Sequence, residues 1–437
     1  MTLGITPEIV VSDNKGNIYS IPDLEGAGMK AGSFFRLRPA DLISLPHGSE
    51  LFMLPDRLAV AYDPSAGRFT ALDGLLAVAA FVSPGFTIEH NASYVEIGRP
   101  KALPLFSYGA VVFYKGGFHV AATRVDREKR QDLRLMKMCE VRRGAKRLRK
   151  IFPNNRLVRH LEGCALLYGC PAAKNFFLKR YEAPLPTSPY CNARCIGCIS
   201  YQARRGCPAT QPRIKFTPTP EEIAETALYH IDNVRDPVVS FGQGCEGEPL
   251  LAHRTIKRAI EIIRARTGKG MINMNTNASL PDEISSLFDV GLGSIRVSLN
   301  SARRIYYERY YKPRKYTFAD VIRSIKNAKA RSGFVSINYL ISPGFTDTKD
   351  ELRALKGLIE RGRIDMIQWR NLNFDPLGYL REMGHKSRIR DIVGIKEAIK
   401  DIKREFPNLM MGYFNPSKAR IRRFHAITQS RPIRNGG

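Results

Sequence analysis

Two periodicities divide the chain. Up to about residue 125, short apolar runs flank clusters of turn residues. Residues 8–12 and 17–21 surround Asp13-Asn14-Lys15-Gly16, residues 58–62 and 68–72 surround Asp63-Pro64-Ser65-Ala66-Gly67, and residues 110–114 and 118–123 surround Lys115-Gly116-Gly117. Gly, Asn and Asp accept the backbone geometry of tight turns, so each group predicts a β-hairpin. Residues 126–182 read as helical. From Ala183 onward, short strands alternate with amphipathic helices. Thr219-Pro220-Glu221-Glu222 is a capping box with proline at the first helical position, opening a helix toward Asn233. Strands are predicted at 238–241, 271–275, 294–299, 334–341 and 366–369, and helices at 253–266, 281–289, 318–331, 348–361 and 395–406. With the strand before Cys191, this makes six βα units, hence a parallel sheet with helices outside it.

The expected organisation is a β-rich region at 1–125, a helical connector at 126–182, an α/β core at 183–411 and a tail at 412–437. Composition sharpens this picture in three ways. At 43% apolar residues the chain can bury a core. No apolar run approaches the roughly 20 residues of a membrane helix, and no basic segment followed by an apolar one opens the chain. Eight cysteines in 437 residues are too sparse for a disulfide scaffold. Their clustering suits metal ligation in a reducing compartment, so a cytoplasmic location is expected. Finally, the net charge is +28. The excess concentrates in Arg142, Arg143, Lys146, Arg147, Arg149, Lys150, Arg156 and Arg159, with no acid among residues 142–159, and again in residues 418–434. Such a field attracts polyanions, nucleic acid first among them, or simply keeps a cationic surface soluble.

The chemistry gathers at Cys191, Cys195 and Cys198, spaced C-x3-C-x2-C after the first strand of the core. Thiolates select iron–sulfur clusters or zinc. Three neighbouring ligands without a fourth leave one metal position open to a small molecule. Further on, Gly244-Cys245-Glu246-Gly247-Glu248-Pro249 follows the second strand, Asn275-Thr276-Asn277 ends the third, and Ser298-Leu299-Asn300 ends the fourth.

In order and spacing, these segments resemble the radical S-adenosylmethionine (SAM) superfamily over roughly residues 183–411. The resemblance implies a partial (β/α)6 TIM-type barrel whose chemistry sits at the C-terminal strand ends. It implies a [4Fe-4S] cluster on Cys191, Cys195 and Cys198, with SAM on the fourth iron. The GEP motif of Gly247, Glu248 and Pro249 would meet the SAM ammonium, and Thr276, Asn277, Ser298, Asn300 and Asn338 would hold other parts of the cofactor. A low-potential electron donor of flavodoxin or ferredoxin type would reduce the cluster. SAM would then break into methionine and a 5′-deoxyadenosyl radical that abstracts hydrogen from a substrate. Two positions depart from the family pattern: Glu246 replaces the usual first glycine, and Gly197 replaces the usual aromatic before the third cysteine. Adenine contact would then fall to backbone or to residues such as Ile199 or Tyr201.

Other residues carry competing readings. Cys245 lies near the expected mouth, as a hydrogen donor to a substrate radical or as packing. Arg370 leads a polar group with Gln368, Asn371, Asn373 and Asp375 at the sixth strand end, where it can clamp a carboxylate or phosphate or merely cap a loop. Cys164, Cys170 and Cys207, with Cys139 nearby, are either buried thiols or a second cluster or zinc site. Tyr306, Tyr307, Tyr310 and Tyr311 form a helical face that is buried or stacks on bases. Pro343 and Gly344 stand where relatives approach adenine, and Thr346 or Asp347 is expected to cap the next helix. Three readings of the whole follow: RNA modification, peptide or protein modification, and a non-catalytic iron–sulfur nucleic-acid binder.

Overall fold

The protein is described by a computed structural model covering residues 6–202 and 209–429. Cys207 lies outside these described residues.

The N-terminal region is an eleven-stranded sheet of antiparallel pairs. All three hairpins are present. The strand Glu8–Ser12 lies at its centre, paired with Ile18–Glu25, Arg68–Phe81 and Gly109–Tyr114. Both faces of this centre are apolar: Ile9 and Val11 enter one core and Val10 another. The middle hairpin is longer than its turn chemistry revealed, with two 14-residue strands, Glu50–Asp63 and Arg68–Phe81. Its ladder breaks between Met53 and Leu58. Pro55 sits in that break, where its missing N–H leaves no ladder bond unmade. The irregularity also re-aims Arg57, whose side chain is 1% exposed.

The connector forms three helices, Met138–Ile151, Arg156–Leu166 and Pro171–Phe177. Val141, Leu148, Leu157, Leu161 and Phe176 share one hydrophobic core with Ile223 and Ala227 of the helix Pro220–Asn233. That helix opens with the expected capping box between Thr219 and Glu222, and Glu222 also pairs with Arg156 at 2.7 Å. The first connector helix turns Arg142, Arg143, Lys146, Arg147 and Lys150 to solvent.

The core is a parallel sheet of seven strands in chain order: Glu182–Pro184, Val238–Phe241, Met271–Thr276, Ser294–Leu299, Phe334–Ile341, Met366–Asn371 and Met410–Gly412. The six βα units stand as expected; the seventh strand is an addition. Side chains alternate along the central strands. Ile295, Val297, Leu299, Ile337, Tyr339, Ile367 and Trp369 enter the apolar core under the helices. Their neighbours are polar and face the other way: Asn273 and Asn275, Arg296 and Ser298, Ser336 and Asn338, Gln368 and Arg370. Asn415, after the seventh strand, donates to Glu182 of the first at 2.7 Å and to Asn275 of the third at 3.3 Å. Such bonds require the sheet to curl, which makes the polar face the inner wall of a partial barrel. The first and seventh strands are not paired. Arg130 bridges the seam between them, donating to Asn415 O and Glu182 at 3.0 and 3.3 Å.

Two segments differ from expectation. Residues 418–429 form a helix, Lys418–Gln429, whose Ile421 and Phe424 pack on Phe334, Met366 and Met410 and so cover strand starts. Thr346 and Asp347 do not cap the helix Lys349–Gly362, whose N-cap is Thr348. They brace the preceding loop instead: Ser342 N donates to Thr346 Oγ1 at 2.9 Å and Gly344 N to Asp347 at 2.6 Å.

The N-terminal sheet rests on loops that follow the fifth and sixth barrel strands. Ala31 N donates to Pro343 O, Asn371 exchanges hydrogen bonds with Ile88 N and Phe86 O, and Arg57 meets Asp375 at 2.8 Å. No helix among the described residues is long and apolar enough to cross a membrane.

Candidate active site

The loop carrying Cys191, Cys195 and Cys198 is clamped on both flanks. On one side Gly247 N donates to Ser188 O at 2.6 Å and Glu248 N to Tyr190 O at 2.7 Å. On the other, Arg194 N and Ile196 N donate to Tyr311 O and Tyr310 O, the last carbonyls of the helix Arg304–Tyr311. The first zipper explains Gly247, where a Cβ would lie 1.9 Å from Tyr190 O. Gly247→Ala therefore forces the strands of this zipper apart. We expect a loss of about 1–3 kcal/mol in urea unfolding and weakened SAM binding by equilibrium dialysis.

The thiols of Cys191 and Cys195 are both held back from ionising. Burial pushes Cys191 up to about 11, helped by Glu248 and Cys198. Burial, then Cys191 and Cys198, raises Cys195 further. Arg213 reaches Cys198 Sγ at 3.6 Å and Ser200 at 3.2 Å.

The loop after the second strand is built on two buried carboxylates. Glu248 accepts from Asn277 N at 2.8 Å, Leu250 N at 3.1 Å and the Thr276 hydroxyl, tying the second strand's loop to the end of the third. Burial raises its pKa to about 7 against those hydrogen bonds. Glu246 accepts from Thr187 N, Ser188 N and Gln243 N at 2.6–3.0 Å and is likewise raised by burial to about 7. Its side chain thus fixes the entry of the cysteine loop, which accounts for an acid at this motif position. Asn277 and Ser279 complete the frame through Asn192 at 2.8 and 2.9 Å.

Within the barrel, Arg296 donates to Gln368 at 3.1 Å, and Arg370 donates to Tyr413 O at 2.7 Å while lying 3.7 Å over the Tyr413 ring. Arg296 Nε, Arg370 Nε and Asn338 Oδ1 have no partner in the protein. Burial first, then the charge of Arg370, lowers Arg296 to about 9. Two guanidiniums therefore stand close together on a polar wall, with Glu182 the carboxylate that acts on Arg296.

Residues 185–355, which span the cysteine loop and both carboxylates, match the Radical SAM superfamily model. That segment is a radical SAM domain. Among curated proteins it is similar to GTP 3′,8-cyclase 2 of Mycobacterium tuberculosis, 31% identical over 175 residues, 39% of this chain and 45% of that one. It is also similar to the FeMo cofactor biosynthesis protein NifB of Klebsiella pneumoniae, 25% identical over 183 residues and 38% of each chain. The chain thus spans less than half the length of these relatives. Among solved structures, the FeFe-hydrogenase maturase HydG of Carboxydothermus hydrogenoformans aligns with a TM-score of 0.35 at 12% identity, over 66% of this chain and 81% of that one.

The donor set fits the radical SAM cluster. Three thiols cluster on one loop, and Cys191 and Cys195 among them are hard to ionise alone, so they need the positive charge a metal centre brings. Gly197 fits as well: a Cβ there would lie 2.6 Å from the Tyr310 hydroxyl and 3.3 Å from Asn373 O. The Tyr310 hydroxyl of the helix Arg304–Tyr311 thus occupies the space a side chain at this position would need. Ile199 instead packs toward Gly244, and Tyr201 lies under the Arg213 guanidinium.

Other sequence-predicted residues are dispersed. Ser298 and Asn338 pair in register on the inner wall. Asn300 is fully buried and donates to Tyr306 O and the Tyr379 hydroxyl. Pro249 opens a short 3-10 helix capped by Glu248. Asp375 caps the helix Pro376–Met383. Tyr307, Tyr310 and Tyr311 are buried, so this face packs and does not stack on bases. The Cys245 thiol meets Cys164 and His160 of the connector. Sequence reasoning missed Arg296 and Asn273, although polar alternation in the third and fourth barrel strands carries that signal. It also missed Arg213 and His160, which local pattern does not mark.

Proposed function

We propose that this protein is a radical SAM enzyme that acts on a substrate bearing a carboxylate or phosphate. The pair Arg296 and Arg370, each with an unpartnered Nε on the inner wall, carries the substrate class. When bound at Cys191, Cys195 and Cys198, the reduced cluster supplies one electron to SAM and so yields methionine and a 5′-deoxyadenosyl radical. The chain's own part is to hold and enclose. Glu246 and Glu248 fix the loops, Asn277 and Asn192 hold the rim, and the polar wall receives the substrate while the apolar shell keeps the helices in place. A low-potential electron donor is part of this reading.

The name of the mycobacterial relative, a GTP cyclase, is consistent with a phosphate-bearing substrate. A second reading, RNA, is favoured by the exposed cations of the helix Met138–Ile151. In that case binding weakens steeply with added salt.

The test is anaerobic reconstitution with iron, sulfide, SAM and dithionite. Formation of 5′-deoxyadenosine and methionine supports catalysis; a bound cluster that yields neither points to a non-catalytic binder. Against the true substrate, Arg296→Met removes a charge-assisted hydrogen bond of about 1.5–3 kcal/mol, so KM rises roughly 10- to 100-fold. Uncoupled SAM cleavage by this variant stays at the wild-type rate.

A further inference from the structure

The helix Arg156–Leu166 presents His160 and Cys164 on one face, one turn apart. Across from them stands Cys245, from the loop that leads into Glu248. His160 Nε2 lies 3.5 Å from Cys164 Sγ and 3.5 Å from Cys245 Sγ. The three donor atoms all fall within 4.8 Å of one another. Both cysteines are buried, at 3% and 4% exposure.

These separations match a coordination sphere. A tetrahedral ion with ~2.05 Å to nitrogen and ~2.3 Å to sulfur sets the two donors roughly 3.6 Å apart. A neutral imidazole with two thiolates suits zinc or another borderline-soft divalent ion. Cys170 caps the helix Pro171–Phe177, its N–H bonded to Cys164 O at 2.9 Å, and its thiol interacts electrostatically with both Cys164 and Cys245.

We propose that His160, Cys164 and Cys245 bind a single zinc-type ion, with the fourth position left to an exogenous ligand, at a centre distinct from the three-cysteine loop. Binding displaces the thiol protons to solvent and forms metal–sulfur and metal–nitrogen bonds; no electron is transferred. The site joins the connector to the loop that carries Glu246 and Glu248. It also gives Cys245 a positioning role, since a metal-bound thiolate has no S–H hydrogen to donate to a substrate radical.

The experiment uses the full chain with Cys191, Cys195 and Cys198 all changed to serine, which separates this site from the cluster. Elemental analysis is expected to find about one zinc per chain, and X-ray absorption to find nitrogen and sulfur neighbours at bonding distance. In that background His160→Ala and Cys164→Ser each lose the metal, while Cys139→Ser keeps it. Cobalt exchanged into the site gives a thiolate charge-transfer band that disappears in Cys245→Ser. The proposal is overturned if the triple variant holds no stoichiometric metal, or holds iron with sulfide. It is equally overturned if mass spectrometry finds Cys164 and Cys245 joined as a disulfide, or if absorption shows oxygen ligands only. Should the point variants misfold, the ligand signature of the triple variant decides alone. Because the cluster cysteines are absent from it, the result is independent of whether SAM is cleaved.

Discussion

Cys195→Ser gives a folded protein that takes up no [4Fe-4S] cluster and forms no 5′-deoxyadenosine. The residue is half-buried, and burial and its two companions raise its thiol well above the usual range. Serine nearly matches its volume, so packing survives. A serine hydroxyl is a much poorer ligand for soft iron than a thiolate. Iron and sulfide content after anaerobic reconstitution, the visible absorption of the cluster, and nucleoside release are the readouts. Thermal unfolding of the metal-free proteins should superimpose. Cys191→Ser and Cys198→Ser behave the same way, since all three ligands are needed to leave a single iron position for SAM. A Cys195→Ser protein with full iron and wild-type SAM cleavage would remove the basis of the functional reading.

The second large effect lies far from the cysteines. Arg57→Ala destabilises the protein by about 3–5 kcal/mol, because a buried carboxylate loses its cation. Arg57 donates to Asp375 at 2.8 Å and to Pro55 O and Lys101 O at 2.8 and 3.2 Å. Asp375 also accepts from the Tyr94 hydroxyl at 2.9 Å and caps the helix Pro376–Met383 through Leu377 N and Gly378 N. The pair therefore joins the N-terminal sheet to the end of the sixth barrel strand. Urea unfolding measures the loss. A double-mutant cycle with Asp375→Asn separates the pair from its surroundings: the double variant is expected to lose less than the two single losses summed. Strict additivity would mean that the two residues act independently, against the geometry.

Much of this architecture was legible along the chain because its signals are local. Turn residues marked the three hairpins, and period-3.6 stretches separated by short apolar runs marked the βα units to within a residue or two. The cysteine loop was legible from spacing. What escaped depends on contacts between distant segments. Met410–Gly412 is three residues long, too short to display a period, and becomes a strand only because Met366–Asn371 offers it a partner. Arg57 reads as a surface arginine until the break around Pro55 and the distant Asp375 are brought together. The Cys245 thiol meets a helix some eighty positions earlier in the chain, which no local pattern announces. Gly197 reads as a departure from its family until Tyr310 fills the space beside it. Arg296 is the exception: Ser294, Arg296, Ser298 and Asn300 alternate in plain view, and only the habit of treating strand interiors as apolar hides it.

The unpaired seam gives the barrel a further property. A ring closed by a continuous ladder has its girth fixed by backbone geometry, whereas this one is fastened by a clasp of three side chains, Arg130, Glu182 and Asn415. Breaking that clasp would cost a few side-chain hydrogen bonds and no ladder bond. The girth of the barrel at this seam therefore rests on side-chain hydrogen bonds and not on strand pairing.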